Sequence, residues 1–314
     1  MDPQVLLLLI VFFFLLILHV PIAVCIAVAT IVTILSLGDV PTGYIVSQKI
    51  STGIASFPLL AIPFFVLSGV LMGEGGMARR LMDFANSVVG RFHGGLAYVN
   101  TMTCMMFGAI SGSAAAAVSS IGGFMIPEMG RKNYSREFSV ALTTASATTG
   151  LLIPPSNIMI VYAVVAGNVS VAGLFLGGIM PGVAMGLLIM GTCFLTNRGR
   201  NVGSGDAATL KEVFIALGHA LPSLLLILIV IGGILGGIFS ATEASAVAVA
   251  YAVLLGVVVY REVKVQALPR ILLKAAKTTS VVMILVGTSQ AMGWVLAYEQ
   301  IPQTVSAALL AISE

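Results

Sequence analysis

Ser111-Gly112-Ser113-Ala114 and Gly150-Leu151-Leu152-Ile153-Pro154-Pro155-Ser156-Asn157 are the two stretches of this 314-residue chain whose residue types and spacing could do chemistry. Each interrupts an uncharged, membrane-like run. Lipid offers no water to free backbone groups, so non-helical backbone at that depth persists only where it is buried in protein or lines a polar cavity. Hard cations take carbonyl, hydroxyl and carboxylate oxygens, about five or six for sodium. Unwound backbone supplies carbonyls at low desolvation cost, and the negative end of a half-helix adds to them. Gly150 and Ile153 would give such carbonyls, while Pro154 and Pro155 keep the helix from reforming. A turn at Ser111, Gly112 and Ser113 would add hydroxyl and carbonyl oxygens. The cation set is therefore Ser111, Gly112, Ser113, Gly150, Ile153 and Pro155. Amides at the start of a half-helix attract anions, which places an anion such as a carboxylate beside the cation, near Ser113, Ala114, Ser156 and Asn157. Thr148 and Thr149 are second-rank candidates.

Composition decides what surrounds these stretches. Hydrophobic residues make up 59% of the chain and charged residues 9%, which excludes a soluble globular domain and reads as an all-α polytopic protein in a lipid bilayer. The formal net charge of +3 is spread over loops and bears on topology, not on nucleic acid. Cys25, Cys104 and Cys193 sit one per apolar segment, without metal or disulfide spacing, and read as small packing hydrophobes. His19, His93 and His219 are equally scattered, with no His, Cys or carboxylate at ligand spacing, so no cofactor and no His- or Cys-bound metal is expected. The N-terminal apolar run lacks a positive n-region and a small-residue cleavage site, and reads as a span.

Residues 5–37 are apolar for longer than one crossing needs: a straight helix would reach roughly 50 Å against a core of about 30 Å. His19-Val20-Pro21 in the middle predicts two short spans, 5–18 and 22–37. A polar connection follows, with Gly38, Asp39, Pro41, Thr42, Gly43 and Lys49. The next span covers 55–73, and Pro58 and Pro63 predict a kinked start. Met77–Phe92 sets Arg79, Arg80, Asp83 and Arg91 against Leu81, Met82, Phe84, Val88 and Val89, the pattern of an interfacial amphipathic helix. Residues 94–127 carry no charge. A single crossing there would put one of two basic clusters outside, against the positive-inside bias. The clusters are Arg79, Arg80 and Arg91 before it and Arg131, Lys132 and Arg136 after it. A re-entrant hairpin over 100–127, turning at Ser111-Gly112-Ser113, keeps both in the cytoplasm. Residues 138–167 form a discontinuous helix broken at 150–157, followed by an uncharged turn at 168–173. Residues 174–196 return to Arg198, Arg200 and Lys211, and 201–211 is linker-like. Residues 220–239 and 244–260 form a pair turned at Ser240-Ala241-Thr242-Glu243, leading to Arg261, Lys264, Arg270, Lys274 and Lys277. A span over 278–297 precedes a second interfacial helix over 301–314.

Glu74, before the first amphipathic helix, matches Glu299, before the second, at an offset of 225. A similar offset lays 5–37 on 220–260 and 55–73 on 278–297, with opposite starting sides. That is an inverted repeat, the architecture of secondary transporters. It sends Ser111 and Pro154 to ~336 and ~379, past the last residue. A partner hairpin and a partner broken helix are therefore expected in a longer protein, of over about 400 residues, with this truncated chain inactive by itself. The chain divides on this reading into 1–99, scaffold spans and first arm helix; 100–200, part of a transport domain; and 201–314, second-repeat scaffold spans and second arm helix.

Each motif also has a plainer reading. Ser-Gly-Ser-Ala packs helices in membranes, and Pro-Pro kinks one; their combination with a return hairpin and a repeat is what favours a site. Glu243, after Ser240 and Thr242, reads as a helix cap. Arg79 and Arg80 read as topology anchors, and Met102, Met105 and Met106 as adaptable packing near a moving surface.

Four segments resemble the large membrane subunit of tripartite ATP-independent periplasmic (TRAP) transporters, the DctM/SiaM family. They are Gly90-Arg91-Phe92-His93-Gly94-Gly95-Leu96-Ala97, Phe107-Gly108-Ala109-Ile110-Ser111-Gly112-Ser113-Ala114-Ala115-Ala116, Gly150 to Asn157 as quoted above, and Gly236-Gly237-Ile238-Phe239-Ser240-Ala241-Thr242-Glu243-Ala244. The resemblance implies an elevator-type, sodium-gradient-driven importer of carboxylate substrates in the bacterial inner membrane. It also implies two partners, a small four-helix membrane subunit of the DctQ/SiaQ type and a periplasmic substrate-binding protein. The residues themselves leave open a stand-alone ion-coupled anion symporter of similar architecture. A membrane enzyme should show a clustered acid/base or nucleophile set, an ATP-driven pump a G-x-x-x-x-G-K-[ST] motif, and a channel a filter or pore-lining charges. None is visible in the sequence, which reads as a transporter and not an enzyme.

Overall fold

A computed structural model describes residues 3–167, 169–198 and 209–313; Arg200 and most of the linker-like stretch 201–211 fall outside them. The described residues form helices and connecting turns. In chain order the helices are α1 (Pro3–Ile17), α2 (Ile22–Leu37), α3 (Thr42–Ile54), α4 (Ala61–Glu74), α5 (Met77–Val89), α6 (Gly95–Ser111) and α7 (Ala114–Arg131). They continue as α8 (Arg136–Leu152), α9 (Asn157–Ala166), α10 (Val171–Asn197), α11 (Leu210–Leu235), α12 (Ala241–Val253), α13 (Leu268–Tyr298) and α14 (Ile301–Ser313). Contacts group them into two compact units, one of Met1–Ser56 with Lys277–Glu314 and one of Phe57–Ala276. These boundaries follow packing and fall elsewhere than the three segments expected from the sequence.

By length and apolar composition, five helical segments can cross a membrane: Phe57–Glu74, Val171–Asn197, Leu210–Leu235, Ala241–Val259 and Val265–Tyr298. A sixth is the bent pair α8 and α9, whose axes turn by 50° at the break. The two N-terminal helices have 15 and 16 residues, about 23 Å each and short of a bilayer core. His19, with φ of 60°, and Pro21 separate them where the sequence placed the turn.

In the first unit, Leu8, Ala29, Ile34, Ile45 and Val295 form a buried core. The polar connection expected after residue 37 is in fact the helix α3. Its hydroxyls turn inward on the helix, Ser47 Oγ to the Gly43 carbonyl and Thr52 Oγ1 to the Gln48 carbonyl, both at 2.7 Å. The polar residues that read as a loop therefore satisfy themselves without leaving the helix. Small residues bring α3 onto α13: a Cβ on Gly53 would lie 2.6 Å from Gln290 Cγ, and one on Gly287 would lie 3.0 Å from Ile50 Cγ2.

In the second unit, Phe57–Leu60 is a single 3₁₀ turn leading into α4, the kinked start that Pro58 and Pro63 predict. Met77, Ala78, Leu81 and Ala85 make one stripe of α5 and are buried. α6 and α11 pack against this helix; of the apolar residues expected at the interface, Leu81 is buried in that stripe, while Met82, Phe84, Val88 and Val89 are half-buried. The polar side of α5 is also engaged. Arg80 pairs with Glu262 at 2.8 Å, and its guanidinium lies 3.8 Å above the Tyr260 ring. Glu74 accepts from Arg270 at 3.1 Å and Lys274 at 3.2 Å. A π turn over Leu254–Val259 ends α12 and delivers Tyr260 and Glu262 to this cluster. The segment of Glu74 and Arg80 thus meets the segment from Tyr260 to Lys274, two that the charge map puts on the same side of the membrane. Tyr134, in the turn between α7 and α8, is 5% exposed, and burial pushes its phenol up to about 12.

Glu243 is a cap, as expected. Its carboxylate accepts from the Ser240 amide at 2.8 Å, while the Ser240 hydroxyl accepts from the Glu243 amide at 3.2 Å. Ser240→Ala should cost about 1 kcal/mol of stability in denaturant unfolding and leave ion binding untouched. A shifted ion affinity in that variant would assign Glu243 to the site after all.

Candidate ion and substrate site

The site is built from α6 outward. Asn100 Nδ2 donates to Thr143 Oγ1 at 2.7 Å, Thr101 and Ser146 share a hydroxyl hydrogen bond of 3.1 Å, and further along Gly108 meets Gly150. A Cβ on Gly108 would lie 2.6 Å from Gly150 Cα, so the two backbones touch there. Residue numbers rise together on both helices. α6 and α8 are therefore parallel, and their C-termini finish at the same level. α7 runs back antiparallel to α6, for Asn100 near the start of α6 meets Met129 near the end of α7 at 3.5 Å. α6 and α7 thus form a helical hairpin, and it turns at the expected residues.

Gly112 ends α6 with φ of 60°, its N–H donating to the Gly108 carbonyl at 2.8 Å. Ser113 begins α7 as its N-cap, its Oγ accepting from Ala116 N at 3.2 Å. Across from this tip, Ile153 leaves α8 in extended conformation after its N–H donates to the Thr149 carbonyl. The Pro154–Pro155 peptide is cis, and Ser156 precedes α9. A Cβ on Gly112 would lie 3.2 Å from both the amide N and Nδ2 of Asn157. The hairpin tip thus touches the start of α9. Two helix C-termini, which carry negative partial charge, and two N-termini, which carry positive charge, converge at one place.

The environment is closed. Ser111 is 1% exposed, Ser156 0% and Asn157 9%. Ser156 Oγ and Asn157 Oδ1 are buried with no hydrogen-bond partner, and Ser156 does not cap its own helix. Buried polar atoms without partners are rare and cost about 1–3 kcal/mol each. Two neighbours in this state, at the start of the helix that meets the end of α6, are neutral oxygens of the kind a hard monovalent cation takes. Among the described residues no group of three or more His, Cys, Asp or Glu could hold a metal.

The other candidate residues are placed as follows. Gly150 holds the backbone contact with Gly108. The Ile153 side chain turns away onto α10, where a Cβ on Gly182 would lie 2.5 Å from its Cγ1. Pro155 lines an apolar crevice with Phe65, Ile110 and Leu226. Ala114 is half-buried in the first turn of α7. Thr149 Oγ1 donates to the Ser146 carbonyl at 2.6 Å and Thr148 Oγ1 to the Ala145 carbonyl at 2.7 Å, which orients each hydroxyl and leaves its oxygen lone pairs for a ligand. Sequence reasoning missed Gly178, Gly182 and Gly186 on α10. A Cβ at Gly178 would strike the Leu152 carbonyl and Met159, and one at Gly186 would strike Met105. The signal was present as small residues at every fourth position, a groove that lets another backbone approach.

The family described as "Tripartite ATP-independent periplasmic transporter, DctM component" matches residues 9–314. The chain is 42% identical over 296 residues to the "Uncharacterized protein YgiK" of Salmonella typhimurium, covering 94% of this chain and 68% of that protein. It is 38% identical over 298 residues to the "Isethionate TRAP transporter permease protein DctMQ" of Oleidesulfovibrio alaskensis, covering 95% and 47%. It is 38% identical over 250 residues to the "C4-dicarboxylate TRAP transporter large permease protein DctM" of Pseudomonas aeruginosa, covering 80% and 58%. The chain thus spans between about half and two thirds of the length of these relatives. With its broken helix, its hairpin and its membrane-crossing segments, the chain belongs to the DctM component family of tripartite ATP-independent periplasmic transporters and is a multi-pass membrane protein.

Proposed function

We propose that this chain is the ion- and anion-binding portion of a sodium-gradient-driven importer in the bacterial inner membrane. The observation that carries the reading is the pair of unpartnered buried oxygens, Ser156 Oγ and Asn157 Oδ1, at the start of α9 where that helix touches the hairpin tip. Sodium would take these oxygens and carbonyls from the ends of α6 and α8. The substrate's anionic group would sit at the starts of α7 and α9, near Ser113, Ala114, Ser156 and Asn157. One relative is named for C4-dicarboxylates and another for isethionate, so the shared chemistry is a small organic anion, a carboxylate in the first case. The working assembly would add a small four-helix membrane subunit and a periplasmic binding protein.

The transport domain would be the hairpin with α8, α9 and α10, moving as an elevator. α1, α2, α11 and α12 would serve as scaffold, and α5 and α14 as arms. An inverted repeat has support in the backbone. Gly76 and Gln300, both left-handed at φ of 71° and 51°, each precede an arm helix, within one position of the offset that relates Glu74 to Glu299. Thermal unfolding of the purified chain tests the sodium reading, in NaCl against KCl at equal ionic strength. A site at a hundredfold saturation should add about 2.7 kcal/mol, seen as a higher Tm in NaCl alone. Identical curves in the two salts would remove sodium from the mechanism.

A further inference from the structure

We infer that Asn100 and Thr143 are positioning residues of the cation site, an inference that rests on the sodium reading above. They lie roughly 17 Å along the α6 axis from Ser111, too far to touch an ion held at the tip. Asn100 is fully buried. Its Nδ2 donates to Thr143 Oγ1 at 2.7 Å and approaches Met129 Sδ at 3.5 Å, and its Oδ1 accepts from Cys104 Sγ at 3.3 Å. One amide therefore joins α6, α7 and α8. Thr143 Oγ1 is equally committed, for it also donates to the Ser139 carbonyl at 2.7 Å.

The reason such a junction matters lies at the other end of the same seam. Near the site, α6 and α8 touch through Gly108 and Gly150, which have no side chains to fix where one helix stands along the other. A slide of one residue would shift the Ser111 end by about 1.5 Å against the Ile153 end and open the shell. The polar rungs, Asn100–Thr143 and Thr101–Ser146, resist that slide, because each has one partner at one register; a single buried Asn sets helix register in coiled coils in the same way. With a rung removed, the aligned state becomes a fraction of the population, and the apparent dissociation constant for sodium rises by the inverse of that fraction.

The test is the NaCl dependence of Tm for the whole chain, with KCl as control. Thr143→Val keeps the shape and removes the hydroxyl. It should raise the half-saturating NaCl concentration roughly 3- to 15-fold with the full shift still reached at high salt, and Thr143→Ser should restore the original value. Should Thr143→Val fail to fold, Ser146→Ala removes a hydroxyl from the second rung and carries the same expectation. A Tm lowered equally in both salts, with half-saturation unchanged, would make the rungs merely structural and overturn the inference while the sodium reading stands. A wild-type chain indifferent to sodium is a different result, and it removes both.

Discussion

Gly150→Ala is expected to lose both the sodium response and much of the chain's stability. Gly108→Ala should do the same from the opposite helix. A Cβ on Gly150 would strike Gly108 Cα, and one on Gly108 would lie 2.6 Å from Gly150 Cα. Backbone atoms have no rotamer to retreat into, so α6 and α8 must separate along the length that carries Thr101–Ser146 and Asn100–Thr143. Overpacking of a well-packed site costs about 1–3 kcal/mol and sometimes more; with backbone as the obstacle, the upper end applies. The separation also pulls the end of α6 from the end of α8, which would empty the cation shell. Gly123→Ala and Gly177→Ala are the controls. A Cβ at either meets nothing within 4 Å, so both should be neutral or stabilising by a few tenths to about 1 kcal/mol, through helix propensity and a less free unfolded chain. Thermal or denaturant unfolding of the four variants, in NaCl and KCl, separates these outcomes. A tolerated Gly150→Ala with a normal sodium response would mean that the α6–α8 contact does not hold the site.

The same pair shows what the sequence could and could not tell. The turn at Ser111–Ser113 was legible because its alternative violated a charge rule: Arg79, Arg80 and Arg91 on one flank and Arg131, Lys132 and Arg136 on the other demanded an even number of passes. The break at 150–157 was legible because Pro154 and Pro155 cannot continue a helix. Gly150 was picked out for its carbonyl; its contact with Gly108 was not visible, since a glycine does not announce which backbone it admits. The α10 groove of Gly178, Gly182 and Gly186 was hidden for a related reason. Its small residues recur at every fourth position, but that spacing does not say which neighbour approaches. α3 was read as a polar connection on Gly38, Asp39, Pro41, Thr42, Gly43 and Lys49, yet the hydroxyls of Ser47 and Thr52 bond to the preceding turn and the segment stays helical. Ile153 and Pro155 were chosen for the backbone they free; that their side chains go onto α10 and into the Phe65 crevice was not legible. Residue type can predict where the helix unwinds. Which way each side chain then turns depends on neighbours more than twenty residues distant.

Ser156→Ala and Asn157→Leu should each act in two opposite directions at once, and that is what distinguishes an ion site from packing. In KCl the unpartnered Ser156 Oγ and Asn157 Oδ1 are a standing cost, and removing one should raise stability by about 1–3 kcal/mol. In NaCl the wild-type oxygens find their partner. The wild-type chain gains stability by linkage, and the variants, lacking a ligand, gain little. The order of Tm values therefore inverts between the two salts, with the variants above wild type in KCl and below it in saturating NaCl. A hydroxyl or amide that merely fills space, or bonds to a fixed water, has no means of producing that inversion. Its removal would lower stability by a similar amount in either salt. Ser113→Ala serves as the comparison: its hydroxyl caps Ala116 N at 3.2 Å, so its loss should cost about 1 kcal/mol in KCl, of opposite sign to Ser156→Ala. If Ser156→Ala and Ser113→Ala shift in the same direction in KCl, Ser156 Oγ is not an unmatched atom waiting for a cation, and the site must be rebuilt without it.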